Sequence, residues 1–570
     1  GKASATVGIT KFERGALKAS NTDFANNADL TTKFAALGGN YVADAAAGYF
    51  DLRSGTGPQA RIGLTGAAAG QINGQNGVNI PGLAPGAAIT RLPGTGGVAA
   101  GTLASASPSF SSPFRSATSG SFSAAGTASF EPQRLVPQGN PSNLYNFQEF
   151  VWLTPSTERT GINTTFRYDM TPTTSFYVET AYQNNKTHIE LAPSPISTAG
   201  DNNIIVPKTN YWNPFGVDVS FNYRPVDIGP RMADITNDSY RMVFGVKGSI
   251  GTNWQWDAYY SYDNDKVVDQ TKNAISESRL RASLARNTPD AINIFGGATY
   301  RNPASVLDSI RVTTQKGGYS TQDLWHAQVS GELAQLPTGP LGSALLVETR
   351  KEKFGEANDA ISTTLDDIIG QVKLANSTDA RRTVKSGAIE LNAPLVRPES
   401  INFVNRLDLT VAGRYEKFSD GYTSGLTPYY GLRYRPNKSL VVRATYNEAF
   451  RSPTLPQLYG GVRESLPNGL GDLRRPQALT GDPFDGAATQ RLVKAGGNPN
   501  LTPELAKGWQ YGFIYEVPLK KLQGLSFGAS FFHIEQTNII TSVGTGFIRQ
   551  NEVGGGTSDL VVRDAASETY

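Results

Sequence analysis

The sequence predicts an all-β protein, and among all-β architectures a transmembrane antiparallel β-barrel with long extracellular loops. Three observations lead there. Apolar and polar residues alternate with period two in runs of about ten residues, enough to cross a bilayer when tilted. The runs come in pairs joined by tight turns, and the connections between pairs are far longer than the turns within them. Composition agrees: 39% hydrophobic and 18% charged residues, with 60 Gly, 33 Pro, 24 Tyr and 26 Phe, describe many strands and turns rather than a helical bundle.

From the start of the chain, residues 3–12 alternate weakly and residues 31–34 form only a short further candidate. Residues 63–128 are dominated by Gly, Ala, Ser and Thr, too poor in large apolar side chains for a core, and are expected to form an exposed mobile loop. The strongest alternation follows. Trp254, Trp256, Ala258, Tyr260 and Tyr262 share one parity, with Gln255, Asp257, Tyr259 and Ser261 on the other. The split recurs with Leu407, Leu409, Val411 and Tyr415 against Asp408, Thr410, Arg414 and Glu416. It recurs again with Leu440, Val442, Ala444 and Tyr446 against Arg443, Thr445 and Asn447, and with Trp509, Tyr511, Phe513, Tyr515 and Val517 against Gln510 and Glu516.

Tight links carrying Pro, Gly or Asn read at 171–174, 250–253, 336–340, 435–439 and 518–524, whereas 185–238, 265–321 and 448–507 read as long loops. Short turns at one end and long loops at the other suit an outer-membrane barrel, in which turns are periplasmic and loops extracellular. At least a dozen strands are expected between Thr160 and Asn538. Residues 554–570 show no alternation, which would leave an open sheet edge in lipid, so the sequence reads as cut at both ends. No stretch approaches the roughly 18 apolar residues of a membrane helix, and the first residues lack a secretory leader.

Several function classes fall away. Fifty-two basic against 49 acidic residues leave +3, too little to imply a nucleic-acid partner. With no cysteine and only His188, His326 and His533, far apart, no zinc site and no cofactor is expected. Gly524 to Gly528 matches Gly-x-Ser-x-Gly, but alternation continues through Leu525, Phe527, Ala529 and Phe531 where a hydrolase elbow needs a helix. Asp263, Asp265 and Asp269 lack EF-hand spacing, and the Gly-rich runs at 63–70 and 94–97 lack a phosphate-loop ending. No enzyme is expected.

Two segments go beyond barrel grammar. The run Tyr446-Asn447-Glu448-Ala449-Phe450-Arg451-Ser452-Pro453, with Leu455 and Tyr459, is followed by Asn498-Pro499-Asn500-Leu501-Thr502-Pro503-Glu504 before the strand at Trp509. Together they resemble the late-barrel signature of TonB-dependent outer-membrane receptors. Asn213-Pro214-Phe215-Gly216 and Gly331-Glu332-Leu333, leading to Glu348-Thr349-Arg350, are similar to a large subgroup of that family. The resemblance implies a barrel of about 22 strands closed by an N-terminal plug. It also implies a place in the outer membrane of a Gram-negative bacterium among lipid and lipopolysaccharide, and import of a scarce nutrient driven through TonB. Residues 1–570 then read as an incomplete barrel domain with the plug and TonB-contacting segment missing.

Within the motifs, Phe450 and Pro453 are expected to end a strand and set the loop's exit, with Arg451 free to pair with a lumen carboxylate. Glu504 reads as a loop brace or a strand-entry residue. Ligand contacts are expected from loop aromatics and arginines: Tyr211, Trp212, Phe215, Tyr223 and Arg224 in one loop, and Tyr459, Arg463, Arg474 and Arg475 in another. Within such a family ferric siderophores, cobalamin and oligosaccharides are all possible ligands. A passive porin-like channel and a secreted β-sandwich binding protein are the alternatives.

Overall fold

The computed structural model describes residues 2–39, 41–43, 50–54, 56–58, 61–64, 145–197, 204–213, 218–294, 301–371, 373–396, 404–465, 492–544 and 548. One 13-stranded sheet dominates them. Its strands are β1 Ala3–Arg14, β2 Ser156–Thr171, β3 Thr174–Leu191, β4 Arg231–Ile250, β5 Trp254–Ile275, β6 Arg311–Leu336 and β7 Gly339–Asn358. They continue with β8 Thr378–Val396, β9 Arg406–Phe418, β10 Thr423–Arg435, β11 Leu440–Arg451, β12 Glu504–Glu516 and β13 Ser526–Thr537. Each strand pairs antiparallel with its neighbours in this order, a pure meander. The sheet stays open, with outer edges on β1 and β13 unpaired among the described residues.

Register turns the alternation into two faces. Leu407, Tyr434, Val442 and Phe513 form one row across β9 to β12, and Val411, Tyr430, Tyr446 and Trp509 another. The opposite parity carries Asp408, Arg433, Arg443, Gly512 and Ser530. One face is therefore apolar and aromatic and the other polar, as a wall between lipid and a wet lumen requires.

The tight turns at 171–174, 250–254, 336–339, 435–440 and 516–526 lie at one end. Gly251 and Gly524 stand there at φ 61° and 92°, which glycine adopts without a Cβ penalty. The link between β8 and β9 belongs to the same end, although its spacing had not marked it as a turn. At the other end, β9 and β10 are joined directly by 419–422, so not every connection on that side is long.

Three expectations need correction. Strands run 12 to 26 residues rather than about ten, so the loops shrink to 192–230, 276–310 and 452–503. Beyond the apolar band the outward residues become Asn184, Lys186, His188 and Glu190, so alternation disappears while the hydrogen-bond ladder continues. Residues 31–34 lie in a helix, Thr31–Ala35, because the Asp29 carboxylate accepts from the Thr31 N–H and Phe34 stacks on Phe50 at 4.1 Å. The Gly-rich segment begins inside a short strand, Arg61–Leu64, paired with Val219–Tyr223; its residues 65–128 lie outside the described residues.

The largest fully buried side chains sit in the loop cluster rather than along the wall: Ile196, Ile204, Phe221, Leu280, Ile292 and Ile294 are typical. They come from the loops at 192–230 and 276–310, from a small sheet, and from helices α1 Glu277–Leu284 and α2 Ala304–Ile310.

Candidate functional site: the loop end and its clamp

The loop cluster is held by polar side chains aimed at main-chain oxygens. Asn210 Nδ2 donates to Leu284 O at 2.7 Å and Trp212 Nε1 to Ala291 O at 3.0 Å. Tyr211 stands edge-on to Trp212, 5.0 Å between ring centres. Arg224 is 6% exposed; it donates to Pro193 O at 2.6 Å, Thr56 O at 3.2 Å and Ser54 Oγ at 3.2 Å, and lies over the Phe147 ring. Burial among neutral acceptors pushes this guanidinium down to about 10, still charged at neutral pH. It therefore ties four parts of the loop end together. Tyr223 is buried at the end of the strand Val219–Tyr223, and Asn213 donates to Pro207 O at 3.0 Å.

A second assembly joins strand ends to the long loop after β11. The buried Arg382 on β8 donates to Glu352 Oε2 at 2.6 Å, Pro453 O at 2.7 Å and Ser452 Oγ at 3.1 Å, with its guanidinium 5.0 Å over the Phe418 ring. Phe450 stands tilted against Phe418, 5.8 Å between ring centres. Pro453 thus presents its carbonyl to a cation as the strand ends. A capping box between Thr454 and Gln457 then starts helix α3, Leu455–Tyr459.

The two late motifs meet directly. Arg451 Nη1 lies 2.7 Å from Glu504 Oε1, the two residues being register partners at the top of β11 and β12. Glu504 also accepts from the Ile540 N–H. Asn498 N–H donates to Gln457 O at 2.8 Å, and Asn498 Oδ1 accepts from the Asn500 N–H. Tyr422 donates to Leu501 O, with Pro499 O at 3.3 Å, and Pro503 precedes the first residue of β12. The motif residues lock the loop's departure and return to each other.

Tyr459 is exposed at the end of α3, and Arg463 reaches Glu356 at 3.1 Å. Phe215, Arg474 and Arg475 lie outside the described residues. The loop at 359–377 links the two halves of the loop end, pairing Ile368 with Ser276 and Lys373 with Glu464. Asp367 in that loop accepts from Ser276 Oγ at 2.5 Å and from Ser278 N–H at 2.6 Å, capping α1. Burial raises its carboxyl, but these hydrogen bonds and Arg279 outweigh that and hold it below its ordinary value.

Below the loops, the polar face carries a charge ladder: Arg350 bonds Glu348 at 3.1 Å and Glu352 at 2.7 Å, and Arg414 bonds Glu416 at 2.7 Å. Farther round, Asn163, Gln183, Arg241, Asp263, Asp265 and Gln322 are among the residues that line a concavity of about 490 Å³. The three aspartates that lack EF-hand spacing are engaged: Ser261 donates to Asp263, Asn237 to Asp265, and Lys316 pairs with Asp269. Sequence reasoning missed Arg382, Phe418 and Tyr422, whose partners stand 30 to 79 residues away in the chain.

Comparison with known proteins fits this architecture. No curated protein matches the chain. Among solved structures, a point mutant of the ferric enterobactin receptor PfeA from Pseudomonas aeruginosa is similar at 15% identity, with 68% of this chain and 43% of that one covered and a TM-score of 0.40. The siderophore receptor PirA from Acinetobacter baumannii gives 11%, 67%, 43% and 0.38 in the same order. The alcaligin outer-membrane receptor FauA from Bordetella pertussis gives 13%, 67%, 54% and 0.33. This chain thus spans only about half the length of these receptors. Residues 208–559 match the family described as TonB dependent receptor-like, beta-barrel, and the meander of two-faced strands is the wall such a barrel needs, so the chain belongs to the TonB-dependent receptor β-barrel family.

Proposed function

We propose that the chain forms wall and outer loops of a receptor that imports a scarce small nutrient across the outer membrane of a Gram-negative bacterium. The carrying observation is the two-faced sheet with its packed loops gathered at one end: an apolar face suits lipid, a polar face suits a lumen, and the loop end suits capture. Further strands on the free edges of β1 and β13 would close the wall, because an open edge cannot face lipid. A plug elsewhere in the full-length receptor fills the lumen and couples it to the TonB energising complex.

Siderophores, cobalamin and oligosaccharides suit the loop end, where Tyr211, Trp212, Tyr459 and Arg463 offer ring faces and guanidinium donors. Arg224 acts there as a brace that holds the 54–56 and 193 segments together. Uptake of candidate nutrients by cells carrying the full-length receptor tests the reading. Accumulation should stop when a protonophore collapses the proton gradient, and Tyr211→Ala with Trp212→Ala should weaken binding without making the membrane leaky. Uptake that equilibrates and ignores the protonophore would instead identify a passive channel.

A further inference from the structure

The concavity on the polar face has its cause in the register of β1 to β6. One row across the strands runs Thr10, Gly161, Gln183, Ser239, Asp265 and Ser320, and the next runs Asn163, Ala181, Arg241, Asp263 and Gln322. Gly161, Ala181, Ser239 and Ser320 are short and form a floor, while Asn163, Gln183, Arg241 and Gln322 stand round it as long arms. Asn163 reaches over Gly8, where a Cβ would lie 2.5 Å from its Oδ1. From β2 to β6 the hollow is roughly 19 Å wide at about 4.8 Å per strand step, and its volume of about 490 Å³ lies in the range of small-molecule sites. Tyr182, Tyr240 and Tyr262 mark the end of the apolar band on the outer face at this level, so a solute moving inward from the loop end passes the hollow.

Neutral polar groups with nothing to bond set this part of the wall apart. Asn163, Gln183, Gln322, Ser239 and Ser320 make no side-chain hydrogen bond among the described residues, and Asn163, Gln183 and Ser320 are exposed. The charges of the lining are few and already engaged. Arg241 Nε lies 3.5 Å from Asp263 Oδ1, Ser261 donates to Asp263 at 2.7 Å, and Asn237 donates to Asp265 at 2.7 Å. One cation against two acids leaves a net charge of −1. Across β7 to β9 the same face is built differently: Arg350 bonds Glu348 and Glu352, and Arg414 bonds Glu416, so that stretch satisfies itself.

We propose that this hollow is a subsite for a neutral oligosaccharide passing along the lumen wall. The proposal rests on the importer reading and selects among the ligands that suit the loop end. A carboxamide both donates and accepts, as does each sugar hydroxyl, so Asn163, Gln183 and Gln322 can each engage two neighbouring hydroxyls while Ser239 and Ser320 bond single ones. An anionic chelate would meet two carboxylates and a guanidinium already paired, and a cation would find both acids engaged. Tyr182 and Tyr240 beside the hollow have the opposite parity, and Tyr182 bonds Asp238 on the other face. Hydrogen bonds therefore hold the sugar without a stacked ring, weakly enough to let it move on.

The test titrates the full-length receptor, in a detergent without a sugar headgroup, with maltotriose, cellotriose, xylotriose and tri-N-acetylchitotriose, and with citrate and spermine as charged probes, followed by ligand-observed NMR. At least one neutral trisaccharide should bind, with an affinity that does not change between about 50 and 500 mM salt, and neither charged probe should displace it. Binding that survives Y211A/W212A reads the wall rather than the loop end. Adding N163A/Q183A/Q322A to that background should weaken it about tenfold or worse, the loss expected of about three hydrogen bonds, whereas T445A/Q510A, a register pair on the polar face of β11 and β12, should leave it unchanged. Heat-modifiable gel mobility checks folding, and Ser320→Trp, which fills the hollow and should also abolish wall binding, serves if the triple variant does not fold. Absence of binding by every neutral trisaccharide, full affinity in a folded triple variant, or displacement by citrate or spermine would overturn the proposal. Protonophore-sensitive uptake of a ferric siderophore by a receptor that binds no saccharide would keep the importer and discard the subsite, and uptake that ignores the protonophore would discard the importer while the titration still reads the hollow.

Discussion

Placing an arginine at Val411 is the sharpest test of which face meets lipid. Val411 lies on the apolar face of β9, between Leu391 and Tyr430 in register. From Leu407 to Lys417 this strand climbs roughly 25 Å at about 3.3 Å per residue and a tilt of about 40°, the height of an outer-membrane apolar band. Val411 is therefore close to mid-depth and Leu407 close to the turn-side edge. Val411→Arg should cost about 2–4 kcal/mol and Leu407→Arg about 0–1 kcal/mol. One residue on, Ala412 faces the polar side opposite Glu390, so Ala412→Arg gains a carboxylate neighbour and should cost next to nothing. Urea unfolding of the full-length receptor in lipid vesicles, followed by tryptophan emission and gel mobility, measures all three. The same depth argument puts Val442, nearer the turn end of β11, at the low end of the scale. If Ala412→Arg proved as damaging as Val411→Arg, or Leu407 as sensitive as Val411, the assignment of faces would be wrong.

Other perturbations address the loop end. Arg382→Met strips the buried clamp of its cation, leaves the Pro453 carbonyl unbonded and should cost about 3–5 kcal/mol; faster hydrogen exchange in α3 should accompany it, and an unchanged α3 would show that the clamp does not hold the loop. A double-mutant cycle with Arg451→Ala and Glu504→Ala should give a small favourable coupling, modest because Arg451 is half-exposed, and additivity would dissolve the link between the two late motifs. Asp367 has a folded pKa below its ordinary 3.8, so its contribution is complete above that pH and disappears as pH falls through the lowered value; proteolysis of the 359–377 loop should rise there in wild type and be already high at neutral pH in Asp367→Asn. Because the chain has no cysteine, Asp308→Cys on α2 should react with an impermeant thiol reagent on intact cells, and Lys438→Cys in the β10–β11 turn should stay protected; the reverse pattern would invert the topology.

The wall was largely legible because its alternation is enforced at every second residue by two different surroundings. Trp254 to Tyr262 and Leu407 to Tyr415 show this in their letters alone, and the turn residues between them announce the hairpins. The upper halves of β3 to β7 were not legible: past the apolar band both faces meet water, so Lys186, His188, Asp234 and Lys272 carry no parity. The loop core was hidden for another reason. Ile196, Phe221, Leu284 and Ile294 are scattered apolar residues in polar stretches, and only pairing between loops far apart in sequence brings them together. The late motifs announced a family and suggested Arg451 as the partner of some carboxylate. That the carboxylate is Glu504, in the other motif, becomes visible only when β11 and β12 are set in register.

These two kinds of order imply different couplings. The wall is held by a continuous ladder of main-chain hydrogen bonds whose apolar side gains nothing by contact with itself, since lipid is as apolar as leucine. The loop end is held as a water-soluble protein is held, by a buried apolar core and satisfied polar groups. Side-chain anchors brace it: Arg224 ties the 54–56 and 193 segments together, Asp367 caps α1, Arg382 on β8 holds Pro453, and Arg451 pairs with Glu504 where β11 and β12 meet the long loop. A loop end built in this way can loosen or shift as a unit without disturbing strand register, because those anchors use side chains and leave the ladder intact. Substitution of an anchor should therefore change loop exchange and ligand capture while leaving the heat-modifiable mobility of the barrel unchanged, whereas a charge at Val411 should do the opposite.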